Sequence, residues 1–111
     1  LRRLYEVYNS TMPSPKVLVI SFPLNPTTVT VSLDFFREIV NFAKKNELWV
    51  VHDNAYADIY FDDYVPPSIL EVEGAKDVAV ELYSLSKSFS MAGWRVAFAL
   101  GNEVLIRNLR R

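Results

Sequence analysis

The sequence has no cysteine and a single histidine, His52. Disulfides and thiolate metal sites are therefore excluded, and a histidine-rich metal centre cannot be assembled from these residues alone. Glycine is scarce, 3 in 111 residues, and no glycine-rich phosphate loop occurs. Neither sign of charge dominates: 12 basic against 13 acidic residues leave a net charge of −1 with no basic stripe. That removes the electrostatic footprint expected for nucleic acid or an anionic membrane surface. No apolar run approaches the roughly 20 residues needed to span a bilayer, and no signal-peptide pattern opens the chain. A cytoplasmic protein is the default expectation. Internal repeats and low-complexity tracts are absent as well.

What is present is the profile of one globular piece with an apolar core: 50% hydrophobic, 14% aromatic and 23% charged residues. The first residue is Leu1, in what reads as mid-helix, and the last, Arg111, falls inside another apolar helical pattern. The expectation is a segment of a larger protein, cut at both ends.

Periodicity divides the chain into alternating elements. Leu1, Leu4, Tyr5 and Tyr8 recur at helical spacing, and the turn formers of 9–15 end that pattern. Residues 16–22 are almost wholly apolar and rich in β-branched side chains, which predicts a strand covered on both faces and hence a parallel sheet between helices. From Ser32 to Asn46, Leu33, Phe36, Ile39, Val40 and Ala43 form one apolar helix face, with Ser32 as N-cap, Asp34 in the first turn and Lys44 and Lys45 in the last. Residues 48–52 give a second strand and complete a βαβ unit of right-handed crossover. A helical turn is expected within 69–74, strands at 77–83 and 96–100, and a helix capped by Gly101 and Asn102 with Val104, Leu105, Ile106 and Leu109 inward. Trp94 and Met91 read as core residues. The aromatic and proline-rich 59–68 offers no site.

The chemistry-bearing residues fall after the strands, where open α/β sheets bind ligands. Asn25 follows the first strand, within an Asn-Pro step whose bond is open to the cis form. Asp53 and Tyr56 follow the second. His52, adjacent to Asp53, points to the opposite face by strand alternation and reads as structural. Ser84, Ser86 and Lys87 follow the third, and Arg95 lies eight residues beyond Lys87. A lysine amine that loses its proton condenses with an aldehyde. An arginine fork and serine hydroxyls suit a phosphate. Together these groups match a phosphorylated aldehyde, such as pyridoxal phosphate. On spacing alone, a solvated serine-rich loop, an Asn-Pro turn, a strand-end cap and a packed tyrosine account for the same residues.

The strings Ser84-Leu85-Ser86-Lys87 through Gly93-Trp94-Arg95, Asn25-Pro26-Thr27 and His52-Asp53-Asn54-Ala55-Tyr56 resemble the cofactor-binding motifs of class I and II aminotransferases, in the same chain order. The resemblance covers nearly the whole chain. It departs at Thr28, which stands where the family pattern has glycine and implies a stiffer loop. The resemblance implies an α/β fold, part of the mainly parallel, helix-covered sheet of the fold-type I transferase large domain, with residues 1–111 a segment of it. It implies pyridoxal 5'-phosphate as cofactor, Lys87 as its covalent anchor and general acid/base, Asp53 on the ring nitrogen, Asn25 and Tyr56 at the 3-oxygen, and Ser84, Ser86 and Arg95 on the phosphate. Amino acid and 2-oxo acid substrates and a homodimer follow from the same source, with the substrate-carboxylate arginine and the ring-stacking aromatic outside these residues. The nearest pattern is that of bacterial alanine (glutamate-pyruvate) aminotransferases. LL-diaminopimelate and aspartate aminotransferases, and β-carbon-sulfur lyases of the same fold, share these motifs. A cofactor-sensing domain without catalysis is the remaining alternative.

Overall fold

The computed structural model describes residues 1–109. Helix α1 (Arg2–Ser10) leads into strand β1 (Val17–Ser21), helix α2 (Leu33–Lys45) and strand β2 (Trp49–Asp53). Two 3-10 turns, Ile69–Glu71 and Ala75–Asp77, precede strand β3 (Ala79–Ser84), a one-turn helix α3 (Leu85–Ser88), a further 3-10 turn at Ala92–Trp94, strand β4 (Ala97–Gly101) and helix α4 (Glu103–Leu109). The strands lie in chain order, β1, β2 and β3 parallel and β4 antiparallel to β3. This is the α/β, mostly parallel sheet expected from the sequence.

Helix α2 forms where its sequence says it should. The Ser32 side-chain oxygen accepts the Phe35 N–H at 3.3 Å, and the charges of both end turns complement the helix dipole. At its other end Glu47 takes a left-handed φ of 54° and the Leu48 N–H bonds back to the Ala43 carbonyl at 2.9 Å, a Schellman closure with glutamate in the glycine position. Phe36, Ile39, Val40 and Ala43 of α2 are buried against Val50, Ala79 and the Ile69 turn, with Leu18 and Ile20 alongside. Phe42, which the helical face omitted, is also buried and meets Tyr5 and Tyr8 of α1 edge-on at 4.6 and 5.4 Å between ring centroids.

Several expectations are corrected. The sheet is not covered on both faces in this chain: Val17 and Val19 of β1 are 49% and 67% exposed. Trp94 is not a core residue, since it sits at the end of a 3-10 turn off the sheet and is 74% exposed, while Met91 is half-buried. Helix α4 starts as expected, with the Asn102 side-chain oxygen accepting the N–H groups of Val104 and Leu105. It does not turn all four apolar residues inward, however; Leu105 and Ile106 are half-buried, and Val104 and Leu109 are exposed. The helical pattern expected to run on to Arg111 lies, past Leu109, outside the described residues. Strand β3 begins at Ala79 rather than residue 77, because Gly74, in the left-handed region, opens a 3-10 turn that runs to Asp77. Gly101 ends β4 at a φ of 133°, pressed so close to β3 that a Cβ there would meet the Ala79 carbonyl oxygen at 2.4 Å.

Candidate functional site

Three parallel strands end at one edge of the sheet, so whatever follows them meets there. Asn25 lies in the loop after β1, Asp53 closes β2, and Ser84, Ser86 and Lys87 close β3 and enter α3. Strand β4 runs the other way and its first residue, Ala97, pairs with Ser84, which brings Arg95 to the same edge.

Within that edge the structure joins some of the expected residues directly. The Asn25 side-chain amide donates to the Tyr56 hydroxyl at 2.9 Å, across 31 residues of sequence. The Lys87 ammonium stands 5.8 Å from the centroid of the Tyr56 ring, within reach of a cation–π attraction. The Ser84 hydroxyl accepts the Ser86 N–H at 3.2 Å and caps α3. Asp53 accepts the Ala55 N–H at 3.2 Å, which closes the turn carrying Tyr56. Arg95 is at the edge but is not hydrogen-bonded to these groups; its guanidinium donates to the Ala92 carbonyl at 2.9 Å, and its backbone is left-handed at φ 55°. Lys87, Asn25 and Arg95 are exposed, Asp53, Tyr56, Ser84 and Ser86 half-buried. The Asn25–Pro26 bond is cis. Thr28 adopts φ 57°, the conformation for which glycine is the ordinary choice, and its N–H closes the loop onto the Leu24 carbonyl at 2.7 Å.

His52 is structural, as alternation required, but it has a partner the sequence reading missed. It is wholly buried, and its Nδ1 lies 3.0 Å from Glu81, the residue directly opposite it in the β2–β3 register. Its Nε2 lies 3.0 Å from the Phe22 carbonyl oxygen. Glu81 is 6% exposed and also accepts from the Ser68 hydroxyl at 2.7 Å, the Ile69 N–H at 3.0 Å and the Asn54 side-chain amide at 3.3 Å. Burial is the largest single influence on the Glu81 carboxyl and pushes it up. The bonds from His52, Ser68 and Asn54, with the His52 charge, outweigh it and hold the group below the usual glutamate value. The Asn54 side-chain oxygen is buried without a partner, a placement that costs about 1–3 kcal/mol. A lone glutamate in an otherwise apolar strand was the available signal, and it becomes informative only once β2 and β3 are known to be neighbours.

Nearby, the Tyr83 hydroxyl donates to Asp58 and holds that carboxyl below the usual carboxylate range, while the same bond raises the Tyr83 hydroxyl. Ser88 Oγ is buried without a hydrogen-bond partner. The 59–68 connection, which offered no site in the sequence, supplies a wall. Tyr60, Phe61 and Tyr64, with Leu24, Asn25 and Tyr56, line an open hollow of about 610 Å³. Tyr64 is fixed by its hydroxyl, which donates to the Val31 carbonyl at 2.9 Å. Among the described residues no cluster of His, Asp and Glu could hold a metal ion, and no helix is long and apolar enough to cross a membrane.

An amine, a carboxylate, an amide with a phenol, and a guanidinium with hydroxyls thus gather at one sheet edge. Compared with known proteins, the family model for "Aminotransferase class I and II" matches residues 1–111. The chain belongs to the class I and II aminotransferase family. As a member of it, the chain is 48% identical to the glutamate-pyruvate aminotransferase AlaC of Escherichia coli, over 97% of this chain and 26% of that protein. It is equally, 48%, identical to an LL-diaminopimelate aminotransferase of Dehalococcoides mccartyi, over 100% of this chain and 29% of that one. Among solved structures, the "probable N-succinyldiaminopimelate aminotransferase" of Thermus thermophilus superposes with a TM-score of 0.83 at 44% identity, covering 86% of this chain and 26% of that chain. This aminotransferase chain therefore spans between a quarter and a third of its relatives' length.

Proposed function

We propose that the full-length protein carrying this chain is a pyridoxal-phosphate-dependent aminotransferase, and that residues 1–111 are a segment of its cofactor-binding large domain. The observation that carries this reading is the gathering of Asn25, Tyr56 and the Lys87 amine at one sheet edge, in a chain of this family. The residue types fit the cofactor group by group: an amine for its aldehyde, a carboxylate for its ring nitrogen, an amide and a phenol for its 3-oxygen, a guanidinium and hydroxyls for its phosphate.

When bound, pyridoxal phosphate supplies an aldehyde that attaches an amine and a protonated ring that draws electrons from the bonds at a substrate's α-carbon. Lys87 is the attaching amine. Once free of that attachment, Lys87 would serve as general acid and base, moving a proton between the substrate's α-carbon and the cofactor's C4′ carbon. Asp53 would keep the ring nitrogen protonated by offering it a carboxylate. Asn25 and Tyr56 would donate toward the 3-oxygen, and their mutual bond sets the amide's orientation. Arg95 spends one of five N–H donors on the Ala92 carbonyl and keeps the others for a phosphate. Lys87 is exposed in this chain, so the desolvation a nucleophilic amine requires comes from chain beyond these residues.

The preferred substrates are alanine or glutamate with a 2-oxo acid acceptor, in a cytoplasmic homodimer. LL-diaminopimelate is the second reading, supported by the equal identity to a relative so named. An amino-donor screen of the full-length protein with 2-oxoglutarate as acceptor separates the two, and pyruvate release without an acceptor would instead indicate a β-carbon-sulfur lyase. Lys87→Ala is expected to abolish the visible absorption of the lysine-bound cofactor; its retention would remove Lys87 from the role.

A further inference from the structure

The buried pair His52 and Glu81 touches neither Lys87 nor the Asp53 carboxylate, yet it holds the backbone on which the site residues sit. Phe22, whose carbonyl lies 3.0 Å from His52 Nε2, is three residues before Asn25. His52 immediately precedes Asp53, and Asn54, bonded to Glu81, immediately follows it and stands two before Tyr56. Glu81 also gathers the Ser68 hydroxyl and the Ile69 N–H at the far end of the aromatic connection. Three segments after two strands thus converge on one carboxylate and one imidazole, and the convergence closes at the 2.9 Å contact between Asn25 and Tyr56.

Donor and acceptor bookkeeping fixes how the pair works. The Phe22 carbonyl can only accept, so Nε2 carries a proton. Glu81 Oε2 accepts from the Ser68 hydroxyl and the Ile69 N–H, and the carboxyl is held below its usual range. The two ring nitrogens thus face one oxygen each, Glu81 Oε2 and the Phe22 carbonyl. A buried polar pair of this kind adds little stability over an apolar pair of the same volume, because desolvation offsets the attraction. Its directional bonds do what apolar packing cannot, which is to fix a carbonyl and an amide at set distances.

We propose that His52 and Glu81 are positioning residues that lock the Asn25 loop against the Asp53–Tyr56 turn and so preset the cofactor's ring-binding groups. This rests on the aminotransferase reading above. The test uses the full-length apoprotein of the wild type, of the double variant His52→Phe/Glu81→Leu, and of the isosteric Glu81→Gln. Pyridoxal 5'-phosphate affinity, thermal unfolding of the apoprotein and hydrogen exchange of the Leu24 amide, which bonds to the Val29 carbonyl within the loop, are measured for each. The double variant should melt below the wild type, because the Phe22 carbonyl, the Ile69 N–H and the Asn54 amide lose their partners, and, assayed well below either melting temperature, it should bind the cofactor about tenfold more weakly, with faster exchange at Leu24. Wild-type affinity and exchange in the double variant would overturn the proposal, as would an affinity loss that only tracks a fall in melting temperature. If the double variant does not fold, Glu81→Gln decides by the same readouts. If the wild type itself takes up no cofactor, the aminotransferase reading fails instead, and Leu24 exchange in the variants still decides whether the pair holds the loop.

Discussion

At the scale of single residues, chemistry and conformation pull in different directions at Thr28. A β-branched side chain at φ 57° sits in a region costing roughly 1–2 kcal/mol per residue for L-amino acids. The loop nevertheless holds, through the Thr28 N–H on the Leu24 carbonyl and the Leu24 N–H on the Val29 carbonyl. Thr28→Gly relieves the strain but adds freedom to the unfolded chain, so a net gain of about 0.5–1 kcal/mol is expected by chemical denaturation of the full-length protein. The sequence marks Thr28 as a departure from the family pattern and suggests stiffness; the side chain instead accepts glycine's conformation. Glu81 leads to a pH prediction. Its folded carboxyl titrates lower than its unfolded one, so its stabilisation is complete above the ordinary glutamate value and is lost as pH falls through the lower, folded value. Glu81→Gln should flatten that acid limb of the stability profile. An unchanged acid limb would show that other carboxyls set it. The motif residues stood out because their strings resemble the family's cofactor motifs in the same chain order; singly, each type has an ordinary use at a strand end. Glu81 did not, because its meaning depends on which residue lies across the sheet.

At the scale of elements, periodicity located the helices and strands to within a few residues and failed where a neighbour decides the outcome. Helix α2 was readable because its cap, dipole charges and apolar stripe are all local. The exposure of one face of β1 and the half-buried α4 were not, since the strand pattern reports what a residue prefers and not whether something lies above it. Two positions test the local geometry. Glu47 occupies the left-handed closing position of α2, so Glu47→Gly should stabilise by about 0.5–1 kcal/mol. Gly101 should tolerate nothing larger: a Cβ would meet the Ala79 carbonyl oxygen at 2.4 Å and the Val80 Cα at 2.9 Å, and the backbone shift that Gly101→Ala forces should cost about 1–3 kcal/mol. Equilibrium denaturation of the full-length protein reads both, and a neutral Gly101→Ala would mean that β4 lies farther from β3 than described.

At the scale of the whole molecule, the chain exposes more surface than a self-contained domain of its mass. Its accessible area is 7619 Å², against roughly 6,200 Å² expected for a compact monomer of 12.7 kDa. Much of the excess is apolar: Val19, Phe61, Phe89, Trp94, Phe98 and Leu100 are all more than half exposed. Such faces mark contact with further protein, in keeping with relatives several times as long. Trp94 belongs in a core by its chemistry alone, yet it is 74% exposed in this chain. Accordingly, the isolated 111 residues should hold pyridoxal 5'-phosphate poorly or not at all. Tight binding by this chain alone in an absorption titration would contradict that expectation.

Lys87 is where the residue motif, the strand edge and the family meet. Borohydride reduction of the cofactor-loaded full-length protein, followed by peptide mass mapping, reports which amine carries the cofactor. The expected result is a single reduced adduct on the peptide containing Lys87, absent from Lys87→Ala. An adduct on any other lysine, or none in a protein that still retains the cofactor, would contradict the assignment.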